Sequence, residues 1–166
     1  MLIHALLAQL PEIAENEREG RALAYLRREG IEPAEAARLV EECFGVLRHP
    51  EFGALFTAQS RAEVGVTALL PQFGNLRVSG QIDRLAVTDD AVLIADFKTN
   101  RPPPSTPAET PTIYLAQMAL YRAALERIYP GKRVDCVLIW TVGPRLMKLP
   151  SVLLDAELAK IASRQR

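Results

Sequence analysis

The hydrophobic period of this chain changes once, near residue 62, and that change limits the folds open to it. Before it, apolar residues recur at helical spacing. Leu2, Ile3, Leu6, Leu7 and Leu10 precede Pro11, and residues 22–28 and 33–47 continue the same rhythm. Pro33 suits a first helical position, and Gly30 and Gly45 are expected at the ends of the second and third helices. After residue 62 the period is two. Residues 63–70, 76–87 and 91–98, separated by the turn dipeptides Gly74-Asn75 and Asp89-Asp90, predict an antiparallel meander. Five prolines among residues 99–111 exclude helix and central strand there, so a loop is expected. A fourth, long helix is expected over 112–129 (Ile113, Leu115, Met118, Leu120, Leu125, Ile128), ended by Pro130-Gly131. A buried strand over 134–142, a short one over 146–149 and a terminal helix over 156–162 complete the reading. The order predicts an α/β domain: a mixed central sheet covered by helices on both faces.

Composition narrows the function classes. With 166 residues, 49% of them hydrophobic, one domain with a real core is the default. Its helical part spans roughly residues 1–60 and its sheet-containing core roughly 61–166. The apolar runs stop short of the ~20 residues that span a bilayer, and the first residues lack the pattern of a secretory leader, so a cytoplasmic protein without membrane contact is expected. Cys43 and Cys136 are too few for a thiolate metal site and read as reduced core residues. The absence of a G-x-x-x-x-G-K-[ST] loop argues against an ATPase. Twenty basic residues balance twenty acidic ones, so any grip on nucleic acid must be local rather than a bulk charge effect.

The chemistry concentrates in the hairpin around Asp89-Asp90. If Thr88 pairs with Ala91, counting outwards puts Asp83 opposite Asp96, with Cβ atoms about 5 Å apart. Like charges so placed destabilise a strand pair unless a cation compensates. Strand alternation puts Lys98 on the face of Asp96, while Phe97 points into the opposite layer. Two carboxylates with one ammonium suit a hard divalent ion such as Mg²⁺, for which Mn²⁺ substitutes, and a water made acidic by it. Taken singly, each of these side chains reads as a solvated strand residue. Their common register is what favours a site.

The phrases Gly80-x-Ile82-Asp83-Arg84, Asp96-Phe97-Lys98-Thr99 and Gln117-x-x-x-Tyr121, in that order, resemble the PD-(D/E)xK nuclease superfamily in its RecB-like branch. The N-terminal run Leu2-Ile3-His4-Ala5-Leu6-Leu7 and the stretch from Asp96 to Pro102 are similar to the C-terminal nuclease domain of AddA-type helicase–nucleases. The resemblance implies a restriction-endonuclease-like core with N-terminal helices. It implies Asp83 and Asp96 as metal ligands, the Phe97 carbonyl as a third, Lys98 as the catalytic lysine and His4 as the histidine completing the metal site. Read without the resemblance, His4 is an ordinary helix-edge histidine. Gln117 and Tyr121 share a helical face, which the resemblance implies lies near the DNA backbone, with Arg101 as a further DNA contact. Glu63 is left outside this set, as a strand glutamate with no stated role.

These readings lead to a metal-dependent deoxyribonuclease domain, excised from a larger helicase–nuclease that serves double-strand-break repair and recombination. Its implied partners are single-stranded DNA, the rest of the helicase polypeptide and a second, AddB-like subunit. Two alternatives stay open: a silent nucleic-acid-binding or scaffold module on the same fold, and a stand-alone nuclease.

Overall fold

Three segments of helical periodicity form α1 (Leu2–Gln9), α2 (Glu15–Arg28) and α3 (Pro33–Leu47) in the computed structural model, which describes residues 2–99, 102–141 and 145–164. α2 begins well before residue 22, because Glu15 and Glu17 in its first turn and Arg27 and Arg28 in its last complement the helix dipole where no apolar stripe exists. It ends in a Schellman motif: Gly30, at φ +78°, donates to Arg27 O, and Ile31 donates to Leu26 O. Gly45, expected at a helix end, lies inside α3 instead. Its neighbours Val46 and Leu47 are buried, and their packing carries the helix past the glycine.

The sheet follows as β1 (Arg61–Leu70), β2 (Leu76–Val87) and β3 (Ala91–Lys98), then α4 (Thr112–Ile128), β4 (Arg133–Trp140), β5 (Arg145–Lys148) and α5 (Ser151–Ser163). Among the described residues, the strands lie in the order β1-β2-β3-β4-β5. The first three form the expected antiparallel meander, α4 carries the chain to β4, which is parallel to β3, and β5 returns antiparallel. α5 starts at Ser151, ahead of the apolar run that predicted it, because Pro150 fixes the entry and Leu154 already packs in the core.

Alternation along β3 sorts the two cores. Val92 and Ile94 face α4 and α5, whereas Ala91, Leu93 and Ala95 face α1 to α3. β2 breaks this rhythm once. Ile82 and Leu85 both join the α4 core, while Arg84 and Ala86 turn to the N-terminal layer, so the alternation slips by one residue at Asp83. The β1–β2 ladder skips the same place: it pairs Ala62 with Arg84 and Val64 with Ile82, and Glu63, at φ +50°, falls in the gap. A left-handed non-glycine residue in a strand is strained backbone, and here the strain sits across from Asp83.

Arg84 fastens the helical layer to this strand. It is 0% exposed. Its Nε donates to Leu55 O at 3.0 Å, Nη1 to Ala8 O at 3.0 Å, and Nη2 to Ser60 Oγ at 2.6 Å, with Glu12 Oε1 at 3.4 Å. Burial draws the Arg84 pKa down, an effect that the Glu12 carboxylate opposes. Arg84→Ala strands three acceptors at a buried position, at about 1–3 kcal/mol each. Urea unfolding should therefore show a loss of about 3 kcal/mol or more, and Arg84→Lys, without the planar fork, should recover little of it.

Candidate active site

The Asp89-Asp90 turn sets the β2–β3 register as expected, with Val87 opposite Val92 and Arg84 opposite Ala95. Pairing stops there, one step before Asp83 and Asp96. At that step the half-buried Asp83 side chain replaces its backbone: Phe97 N donates to Asp83 Oδ2 at 2.7 Å. The hairpin thus ends in a carboxylate that pins the β3 backbone between Asp96 and Lys98.

Asp96 is buried, at 5% exposure, and Lys98 is nearly so. The Lys98 ammonium is ion-paired to Asp96 Oδ2. It also donates to Gln117 Oε1 at 2.9 Å and sits 4.0 Å from the centre of the Tyr114 ring. Gln117 turns its other end to the acid, Nε2 donating to Asp96 Oδ1 at 3.2 Å. One amide therefore bridges the carboxylate and the ammonium and fixes the distance between them. Burial holds the Asp96 pKa above the ordinary carboxylate value; Lys98 and Gln117 oppose that rise and the Asp83 charge adds to it.

Tyr121 lies one turn along α4, where Gln117 Nε2 approaches its hydroxyl at 3.4 Å. Gly80 makes room for it: a Cβ there would stand 2.2 Å from Tyr121 Oη and 2.8 Å from the ring. Glycine in the Gly80-x-Ile82-Asp83-Arg84 phrase is therefore a packing requirement of the phenol that backs Gln117.

The face expected to meet nucleic acid is turned toward the site: Tyr121 is 7% exposed and belongs to the core, and Gln117 is bonded to Asp96 and Lys98. Four-residue spacing defines a shared face but not its depth, and this face turns inward against the sheet. His4 reaches the same strand end through Phe97. Its ring meets the Phe97 ring edge-on at 4.8 Å, on the layer opposite Asp96 and Lys98. Among the described residues no three His, Cys, Asp or Glu side chains are gathered in one place. Arg101 lies outside the described residues. Lys132 and Arg133 sit by the start of β3, about 23 Å from Lys98 along the strand, with Lys132 bonded to Thr88 O and Asp89 O and Arg133 to Asp135.

The donors that do converge are hard oxygens. Two carboxylates at a hairpin end, one of them buried beside a single ammonium, fit a divalent cation of the Mg²⁺ type that keeps several waters. The Phe97 carbonyl, on the same backbone step, and His4 are the further donors that the resemblance implies.

The chain is similar to proteins of a known class. The sequence profile of the PD-(D/E)XK nuclease superfamily matches residues 1–162. The A-type component of an ATP-dependent helicase/nuclease from Streptococcus suis (strain 98HAH33) is 38% identical over 72 residues, which cover 43% of this chain and 6% of that protein. The chain thus corresponds to a small part of that relative's length. A protein of Eubacterium rectale, named as a candidate exonuclease, has a structure that aligns with a TM-score of 0.49 at 14% identity over 78% of this chain and 51% of its own.

Two outcomes follow for the site. Gln117→Ala removes the bridge that holds Lys98 beside Asp96, at a cost of about 1–3 kcal/mol. Turnover should fall by about tenfold or more, with little change in KM for DNA. For Asp96, the folded chain favours the proton, so its stability declines as pH rises from the ordinary carboxylate value through the raised one. The metal-free Asp96→Asn variant should therefore melt at or above the natural chain at neutral pH. That difference should vanish below about pH 4, where both side chains are neutral.

Proposed function

The chain belongs to the PD-(D/E)XK nuclease superfamily, and from that premise we propose that it hydrolyses DNA phosphodiester bonds with a divalent cation, Mg²⁺ by preference and Mn²⁺ in its place. The observation that carries this reading is the buried Asp96–Lys98 ion pair, held by Gln117 at the hairpin end where Asp83 arrives from the neighbouring strand. An ammonium fixed between a buried carboxylate and an aromatic face, at the end of the hairpin that carries Asp83, favours catalysis over a silent module.

Asp83, Asp96 and the Phe97 carbonyl would hold the cation, which when bound polarises a phosphoryl oxygen and acidifies a water. Lys98 supplies positive charge where the attacking water and the phosphate oxygens meet, and it stabilises negative charge that develops there. Gln117 keeps that ammonium from swinging into solvent, and Tyr121 keeps Gln117 in place. Asp83, through Phe97 N, sets the height of the β3 backbone relative to both. The likeness to part of a helicase/nuclease supports a setting in which a linked motor feeds single-stranded DNA to the site, with an AddB-like partner, in double-strand-break repair. The cytoplasm is the matching compartment; among the described residues no helix is long and apolar enough to cross a membrane.

Incubating the purified chain with a single-stranded oligonucleotide in Mg²⁺, in Mn²⁺ and in chelator tests the reading. Cleavage should require the metal, and Asp83→Asn, Asp96→Asn and Lys98→Ala should each lower it by about a hundredfold or more while circular dichroism stays unchanged. Full activity of Asp96→Asn would end the mechanism. With Lys132 and Arg133 engaged elsewhere and no net charge, KM for free DNA should be high and rise further with salt.

A further inference from the structure

The β1–β2 hairpin runs on past the site. Pairing of β2 with β3 ends at Arg84 and Ala95, whereas pairing of β2 with β1 continues to Leu70 and Leu76. Beyond Asp83 the two strands therefore form a ribbon with two faces of its own. Val66, Leu70, Val78 and Ile82 bury one face against α4. Gly65, Thr67 and Leu69, with their cross-strand partners Gln81, Ser79 and Arg77, lie on the other and are exposed. This is the side on which Arg84 and Ala86 meet the N-terminal helices. The covered part of the face gives way to the open part at Asp83.

The composition of the open face differs from that of a solvated sheet surface, which ordinarily carries long charged side chains of both signs. Residues 64–82 hold no Asp, Glu, Lys or His, and Arg77 is their one charged side chain. Its exposed guanidinium has no partner among the described residues, and the Thr67 and Ser79 hydroxyls, opposite each other, have none either. At Gly65 a Cβ would meet nothing within 4 Å, so the backbone lies bare. Acidic charge stands only at the catalytic end, where Glu63 accepts from Gln81 Nε2 at 3.2 Å. Small hydroxyl-bearing residues and one free guanidinium complement a chain that brings its own negative charge. From Asp83 to Arg77 the strand extends about 20 Å, the length of about six nucleotides of a stacked strand.

We propose that the single strand being cut lies along this open face, its sugar–phosphate backbone close over Gly65. Thr67 and Ser79 donate to phosphate oxygens, and Arg77 pairs with a phosphate about six nucleotides from the cut. The proposal rests on the nuclease reading and names binding residues for it. Hydroxyls and a guanidinium hold phosphates without reading bases, so the contact is indifferent to sequence.

Arg61 supplies the control. It is exposed on the opposite face of the same ribbon, paired with Leu85, and has no partner among the described residues. KM and kcat are measured in Mg²⁺ for a single-stranded oligonucleotide of about twenty nucleotides, long enough to span the ribbon on either side of the cut. Arg77→Ala should raise KM at least about fivefold, with kcat within about twofold of the natural chain. The slope of log KM against log salt should fall by about 0.7, one phosphate contact on a single strand. Thr67→Val combined with Ser79→Ala should raise KM in the same way. On a strand of about three nucleotides, half the reach to Arg77, the Arg77→Ala effect should shrink toward one. Arg61→Ala should leave KM for the long strand where it was, and the unfolding midpoints of all variants should hold. Anisotropy of a labelled strand in chelator reads the same contacts without cleavage.

Equal effects of Arg77→Ala and Arg61→Ala overturn the proposal, since bulk charge would then explain both. An Arg77→Ala chain with the KM and affinity of the natural one, or no DNA binding at all, overturns it too and leaves the face to a protein partner. Failure of the natural chain to cleave with metal removes the nuclease reading separately, because anisotropy still compares the two arginines.

Discussion

The buried guanidinium of Arg84 is the constraint on which the arrangement of layers rests. A charge taken fully out of water is tolerated only where its donors are met, and the Arg84 fork is met by α1, by the turn before β1 and by Ser60. Because these acceptors come from separate segments of the N-terminal layer, one strand residue fixes the position of all of them. The neighbouring residue is Asp83. Helical layer and hairpin are thus registered against each other by adjacent side chains, Arg84 met by two carbonyls and a hydroxyl and Asp83 by the Phe97 N–H.

The second organising device is internal neutralisation. A buried carboxylate alone would take up a proton or distort its surroundings. Asp96 instead has Lys98 against one oxygen and Gln117 against the other, and the ammonium is in turn backed by an aromatic face. The charges are paired within the protein itself, so the geometry of the site is a property of the fold. Tyr121 and Gly80 extend that control inward, since the phenol reaches Gln117 only because no side chain occupies the strand beneath it.

The sequence was most legible where local rules acted alone. The β2 and β3 limits and their register followed from alternation about an acidic turn, and the fourth helix followed from its apolar stripe between prolines. It was least legible where depth decided the outcome. Residues 15–21 have no apolar stripe, so the start of α2 was invisible to hydrophobic spacing. Arg84 belonged to a quoted phrase, yet nothing in its identity announced complete burial, because arginine is ordinarily a surface residue. The same limit applied to Gln117 and Tyr121, whose common face could be read from spacing and whose inward orientation depended on Gly80, distant in sequence. The strain at Glu63 had no sequence signal, for glutamate is not a residue that marks left-handed backbone.

The parallel pairing of β3 with β4 also bears on the order in which the molecule can assemble. The β2–β3 hairpin closes a short loop and brings Asp83 to Phe97 N locally, whereas β4 docks only after the proline segment and α4 have been traversed. Contacts of long sequence separation carry their loop-closure entropy before they return any energy, and form late. The hairpin with its acidic pair is therefore an early, unfinished structure, and Gln117 reaches Lys98 and Asp96 only when the crossover settles. A chain emerging from synthesis stays without a finished cutting edge until its topology is complete.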